Sequence, residues 1–319
     1  MTGDALSDRF RGSLAALVPD FENSDDILGL AVSGGPDSLA LLLLAHDSFP
    51  GRIAAASVDH GLRAQAHDEC VFVARICESR AIPHRILKPS FPIRGSIQAE
   101  ARKVRYGLLN GWLKQENITW LATAHHADDQ LETMIMRILR GSGIDGMSGI
   151  RARRGHLIRP LLPFSKDILA GYVTAKGIEP VQDPSNRDPS YDRVRVREAL
   201  MMLSGFDVSL ASQSAAAIDD ARTAIVWMVD KLAATHIREM DDGCTLDSHD
   251  FPHEIVRRLL LKCLHICDPS LSPRGSQLGP LIKGLSQGAT LTIGNILCKG
   301  GPVWTFTPAP QRNIKSNNG

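Results

Sequence analysis

No stretch of this chain is long and apolar enough to span a bilayer. The longest greasy run, residues 39–45, stops at His46-Asp47, far short of the roughly 20 residues a transmembrane helix needs. The first twenty residues contain Asp4, Asp8 and Asp20 and lack the apolar centre of a signal peptide. Both absences predict a cytoplasmic protein with no membrane partner. Cysteine is sparse and scattered: the six, at 70, 77, 244, 263, 267 and 298, include no C-x-x-C. That argues against a zinc or redox pair and for reduced thiols. Net charge is only +1 across 319 residues, so nothing global attracts a polyanion and any basic surface is local. Repeats and low-complexity tracts are absent too. What remains, 43% hydrophobic and 22% charged, is the composition of an ordinary globular protein long enough for two domains.

Against these absences, one hexapeptide carries most of the information. Ser33-Gly34-Gly35-Pro36-Asp37-Ser38 follows the apolar run 27–32 and precedes the leucine-rich run 39–44. That order reads as strand, loop and helix. Adjacent glycines let backbone N–H groups turn inward, and the positive end of the following helix points at the loop. The result is a cradle for phosphate. It is not a Walker loop, because no Gly-Lys-Ser/Thr follows at the required spacing.

Short apolar runs at 27–32, 53–58, 83–87 and 118–122 alternate with helical patterns at 38–46, 66–80, 96–115 and 127–139. The alternation predicts an α/β fold, a parallel sheet flanked by helices on both faces. Ligands of such sheets sit at the carboxyl ends of the strands, where the loop 33–38, the segment 59–63 and the segment 123–132 can converge. From residue 165 the pattern turns helical: 165–176, 192–203, 208–239 and 252–267, with a β-rich hairpin at 290–307 and a disordered end at 311–319. We expect a catalytic domain over 1–208 and a smaller, mainly helical domain with a short β tail over 209–319.

Three segments could carry chemistry. In Ala122-Thr123-Ala124-His125-His126-Ala127-Asp128-Asp129-Gln130-Leu131-Glu132-Thr133, His125 and Asp129 fall at helical i,i+4 spacing. Such a cluster could ligate a transition metal. It could equally place a carboxylate pair beside a nucleotide, holding magnesium or taking a proton, or be a helix N-terminus with acids in its first turn. Arg102 and Arg105 lie one turn apart with Tyr106 beside them, either a solvated face or a contact for phosphate. Between 137 and 197 twelve basic residues face six acids, a local charge near +6 that suits a polyanion as well as a solvated surface.

Together these segments resemble the tRNA(Ile)-lysidine synthetase family within the N-type ATP pyrophosphatases, or PP-loop proteins. The resemblance rests on residues 33–38, 58–63, 98–106, 122–150, 159–162 and 183–186 and covers about 25–205. The Ser-Gly-Gly-x-Asp-Ser loop belongs to the whole superfamily; the His-His-x-x-Asp-Asp-Gln-x-Glu-Thr and Arg-Gly-Ser-Gly pair is specific. It implies a Rossmann-like PP-loop fold and an enzyme that adenylates carbon 2 of the wobble cytidine of isoleucine tRNA with a CAU anticodon. Free lysine then displaces AMP. It implies ATP and Mg2+ as cofactors and a homodimer. By this resemblance Ser33, Gly34, Gly35, Pro36, Asp37 and Ser38 hold the triphosphate, Asp37 holds magnesium and Val58 borders adenine. Asp129, with Asp37, is the expected catalytic carboxylate, as base for the amine or anchor for its ammonium. His60, Arg63, Arg105, His125, Asp128, Glu132, Arg140 and Ser142 are the expected substrate contacts. Val194 departs from the family, which usually carries Asn there. The alternative reading is a tRNA sulfur-transferase on the same fold, which generally needs paired cysteines. A small-molecule amide synthetase leaves the basic segment unexplained, and a nucleotide sensor gains nothing from acids beside phosphates.

Overall fold

The computed structural model describes residues 3–61, 65–90, 97–181, 192–202 and 207–310. Arg63, the segment 183–186, Tyr191 and the end 311–319 lie outside the described residues. The chain forms two compact units, Met1–Asp219 and Asp220–Gly319.

In order, the first unit contains α1 (Gly3–Leu17), β1 (Leu28–Ala31), α2 (Pro36–Ser48), β2 (Ile53–Val58), α3 (Gln65–Glu78) and β3 (His84–Leu87). There follow α4 (Ile97–Gln115), β4 (Trp120–Ala122), α5 (Ala127–Leu139), the single turn α6 (Ile144–Met147), β5 (Arg153–Arg154), β6 (Leu157–Ile158), α7 (Lys166–Ala175) and α8 (Asp192–Met201). The strands form one sheet in the order β3-β2-β1-β4-β6-β5, parallel except for the edge hairpin β5–β6. The expected α/β fold is present. From β1 the chain builds β2 and β3 on one side, then returns to place β4 on the other. The carboxyl ends of β1 and β4 therefore flank the switch point of the sheet, where doubly wound folds bind ligands.

Side-chain alternation explains why both faces are covered. Along β2, Ile53 and Ala55 join the core that includes Phe10, Leu14, Leu41 and Val173. Ala54 and Ala56 point the other way, to Leu109, Trp112 and Leu113 of α4. A buried parallel strand is apolar on every residue, as β1 is. Gly29 in β1 makes room for α4: a Cβ there would meet Leu113 Cδ2 at 3.0 Å and the Trp112 ring at 3.1 Å. α2 is buried all round at residues 39–45 and packs against α1, α7 and the sheet. α1 was not expected from the sequence. Its Leu6, Phe10 and Leu14 share one face at i,i+4 spacing and are all buried.

The long helix α9 (Ser209–His236) carries the division between the units. The second unit continues with β7 (Ile237–Met240), β8 (Gly243–Leu246), α10 (His253–Cys267), α11 (Gly275–Ser286), β9 (Thr290–Ile293), β10 (Ile296–Lys299) and β11 (Trp304–Pro308). Its antiparallel sheet has the order β7-β8-β11-β10-β9. Trp304, Phe306, Leu246 and Cys298 from the sheet and Leu259, Leu260 and Cys263 from α10 build its core. The helix expected over 208–239 gives way to strand at Ile237. The tail hairpin is part of a larger sheet, because β11 also pairs with the distant β8. Among the described residues no helix is long and apolar enough to cross a membrane.

Candidate active site

The loop between β1 and α2 is shaped from within. Gly34 takes φ +87°, a conformation that side chains oppose. Gly35 caps α2 and Pro36 opens it, with a ring that pre-sets the first helical turn. The Ser38 hydroxyl accepts the Ser33 N–H at 3.1 Å and donates to the Gly35 carbonyl at 2.9 Å, so the loop closes on its own second serine. The Gly34 carbonyl in turn accepts the Val181 N–H at 3.1 Å. Asp37, in the first turn of α2, has one carboxylate oxygen, Oδ1, buried without a hydrogen-bond partner.

On the neighbouring strand the chain leaves β4 through Thr123-Ala124-His125-His126 in an extended path; His126 has φ −127° and ψ −178°. Extended backbone sends successive side chains to opposite sides, and the two histidines obey. His126 turns to the β1–α2 loop and is 3% exposed. Its Nε2 lies 3.5 Å from Asp37 Oδ2 and 3.5 Å from Asp129 Oδ2, and its Nδ1 lies 3.4 Å from Asp128 Oδ2. Burial opposes its charge, but the carboxylates of Asp128, Asp37 and Asp129 outweigh that and raise its pKa to about 10. At neutral pH a buried imidazolium thus stands among three carboxylates.

His125 turns away, with Nδ1 3.0 Å from the Thr123 hydroxyl. Burial and the cations Arg159, Arg102, Arg193 and Arg105 push its pKa down to about 3. The surroundings of His126 are therefore acidic, and those of His125 are basic.

The acids differ in their engagements. Asp128 Oδ2 accepts the Lys166 N–H at 2.8 Å and so caps α7. Burial pushes its carboxyl up, but the bonds from His126 and the Lys166 amide hold it below the usual range. Asp129 Oδ2 accepts the His126 N–H at 3.1 Å and its Oδ1 accepts from Arg193 Nη2 at 3.0 Å. Glu132 is buried on α5 and turned to α8. Its two oxygens receive Arg193 Nε and Arg197 Nε, each at 2.6 Å. Arg193 and Arg197 sit at i,i+4 on α8, and Val194 beside them is buried. That spacing was visible in the sequence, but its partner on α5 was not.

Of the other expected residues, Val58 ends β2 and pairs with Leu87. His60 follows Asp59, a buried acid that accepts the Gly61 N–H at 3.1 Å and sits 3.3 Å from both Lys88 Nζ and His67 Nδ1. Arg105 lies on α4 and belongs to the basic surroundings of His125. Arg140 ends α5 and pairs with Asp192 at 2.8 Å. Ser142 donates its N–H to the Arg137 carbonyl at 3.0 Å and packs so closely on Gly146 that a Cβ there would come within 2.6 Å of its own Cβ. Gly149, at φ +60°, leaves space for the buried Gln130 amide. That amide accepts the Ile150 N–H at 2.6 Å and donates to the Ile150 carbonyl at 3.3 Å.

A glycine loop between a buried parallel strand and a helix, at the switch point of this sheet, is a nucleotide-site architecture that PP-loop proteins share with other α/β folds. The family model of the PP-loop domain, an ATP-binding module, matches residues 6–203. The tRNA(Ile)-lysidine synthase of Zymomonas mobilis is 41% identical over 295 residues, covering 89% of this chain and 89% of that protein. That of Novosphingobium aromaticivorans is 35% identical over 322 residues, covering 97% and 96%. The chain belongs to the tRNA(Ile)-lysidine synthase family, a family of enzymes. Among solved structures, the U34-tRNA thiolase NcsA from Methanococcus maripaludis superposes with a TM-score of 0.53 at 16% identity, covering 70% of this chain and 78% of that one. The likeness is one of fold. In this chain the two cysteines of the first unit, Cys70 and Cys77, are buried on α3, and burial raises their thiols to about 11 and about 12.

Proposed function

We propose that this chain joins free lysine to carbon 2 of the wobble cytidine of isoleucine tRNA bearing a CAU anticodon, consuming ATP and releasing AMP and pyrophosphate. Asp37, from the loop after β1, and Asp129, from the helix after β4, meet at one imidazole nitrogen. That convergence carries the proposal. In the first step the cytosine O2 attacks the α-phosphorus of ATP, an O–P bond forms, and the bond to the β-phosphate oxygen breaks. In the second the ε-amine forms a C–N bond at carbon 2, the C–O bond breaks, AMP leaves and the amine sheds its extra protons.

The glycines at 34 and 35 and the first amides of α2 cradle the phosphates, since a helix N-terminus leaves such amides without intrahelical acceptors. Asp37 suits magnesium: one of its oxygens is buried and unpartnered, an arrangement a hard cation completes. A magnesium ion there would stabilise charge on the departing pyrophosphate. Lysine brings a different difficulty. With an amine pKa near 10.4, roughly one molecule in a few thousand is neutral at pH 7. Asp129 receives the ammonium and holds or takes its proton, which a positioned base makes worth about 10²–10⁴ in rate. Arg193 on its second oxygen fixes the carboxylate in place. Asp128 and Glu132 serve the site by holding α7 and α8.

The decisive measurement is nucleoside mass spectrometry on isoleucine tRNA incubated with ATP and isotopically labelled lysine. The expected product is a cytidine carrying the label, with none formed by Asp129→Asn. Thiolated RNA formed without lysine would establish sulfur transfer instead, and pyrophosphate release indifferent to RNA and lysine would rule out both.

A further inference from the structure

Of the basic residues around His125, Arg102, Arg105 and Arg159 have no part in the steps above. Arg102 and Arg105 project from one turn of α4. The Arg102 guanidinium lies 5.1 Å from the Tyr106 ring centroid, and both Arg102 and Tyr106 are within electrostatic reach of Arg159, which follows β6. Arg159 is 7% exposed. One of its terminal nitrogens donates to the Arg151 carbonyl, and its Nε is buried without a partner. Among the described residues none of Arg102, Arg105 and Arg159 has a carboxylate partner. The contrast with Arg193 and Arg197, both seated on Glu132, is direct. Arg159 is the buried member of the group, with Arg105 half-buried and Arg102 exposed; a buried cation needs compensation, and two further cations beside it make that need greater.

We propose that Arg102, Arg105 and Arg159, with Tyr106 and His125, form a receptor for a phosphate group. Two sources carry that chemistry, the backbone of an RNA and the phosphates of a nucleotide. RNA is the better match, because the phosphate-cradling loop at 33–38 lies against His126, in the acidic surroundings. The planar guanidinium forks suit phosphate oxygens. The neutral imidazole can offer an N–H without adding to the repulsion. Naming RNA rests on the function proposed above; the anion site itself does not.

The test uses the full chain and two variants, Arg102→Gln at an exposed position and Arg159→Gln at a buried one, each checked for an unchanged melting transition. Binding of unmodified isoleucine tRNA is followed across a salt series, and binding of ATP in parallel. An RNA phosphate predicts RNA affinity about tenfold weaker and a salt slope shallower by about 1, with ATP binding intact. Weaker ATP binding with RNA binding intact assigns the site to the nucleotide. If a folded Arg102→Gln protein binds both as the wild type does, the receptor does not exist, whatever Arg159→Gln does. A wild-type enzyme that needs these arginines for RNA yet never attaches lysine to it would keep the receptor and remove the proposed reaction.

Discussion

Two adjacent histidines show how much a residue owes to the direction it faces. His126 and His125 have the same chemistry, yet the buried His126 is held charged by Asp37, Asp128 and Asp129, and the partly buried His125 is held neutral by desolvation and by arginines. The expectation for His125 is specific. Its folded pKa, about 3, lies below the ordinary 6.5 because of burial and of Arg159, Arg102, Arg193 and Arg105. Between those two values the unfolded chain binds a proton that the folded one refuses. Stability therefore falls as pH falls through that window, by up to about 1.4 kcal/mol per pH unit for one proton. Imidazole NMR should find His125 neutral down to pH 4 or so, and His125→Asn should flatten this part of the stability profile. A resonance titrating near 6.5 would mean that the arginines do not surround the ring. At Asp37 the expectation is chemical. Asp37→Asn keeps the shape of the loop and removes the charge, so pyrophosphate release should fall by about 10² or more, with the melting transition little changed.

Among the elements, α8 depends on one carboxylate. Glu132 binds both Arg193 and Arg197, and Arg193 reaches Asp129 as well, so docking of α8 and the aim of Asp129 are linked. Glu132→Gln should lower stability by about 2 kcal/mol, the typical worth of hydrogen bonds to charged groups, and speed amide exchange along α8 more than along α2. Activity should fall too, because Arg193 links Glu132 to the aim of Asp129. Unchanged exchange in α8 would sink the anchoring role. The same pair marks the limit of sequence reading. The β1–loop–α2 unit was legible because its signals are local: an apolar run, two glycines, a proline and a leucine-rich helix in succession. Asp129 and Glu132 were legible as candidates, yet what each one holds was not, since α5 meets α8 only through folding. The five-stranded sheet of the second unit hid for the same reason. β8 finds β11 across two intervening helices, and neither short strand announces its partner.

For the whole molecule, a net charge of +1 leaves RNA attraction to local features, and the basic stretch 137–197 is the most prominent of them in the sequence. Folding neutralises much of it. Arg193 and Arg197 are taken by Glu132, Arg140 and Arg195 by Asp192, and Lys176 by Asp47. Arg153 donates to the Leu17 carbonyl and stacks on Trp120. Arg137, Arg151 and Arg154 stay exposed and, among the described residues, have no carboxylate partner. Counterion release distinguishes these groups, because each phosphate that a protein neutralises adds about 0.7–0.9 to the steepness of log K against log salt. Replacing Arg137, Arg151 and Arg154 together by Gln should flatten the slope for tRNA binding by about 2. Replacing Arg140 and Arg195 by Gln should change it by no more than about 1, since Asp192 already answers one of their two charges. A double variant that flattens the slope as much as the triple would show that Arg140 leaves Asp192 for the RNA. The surface ion pair would then be a resting place for a binding residue.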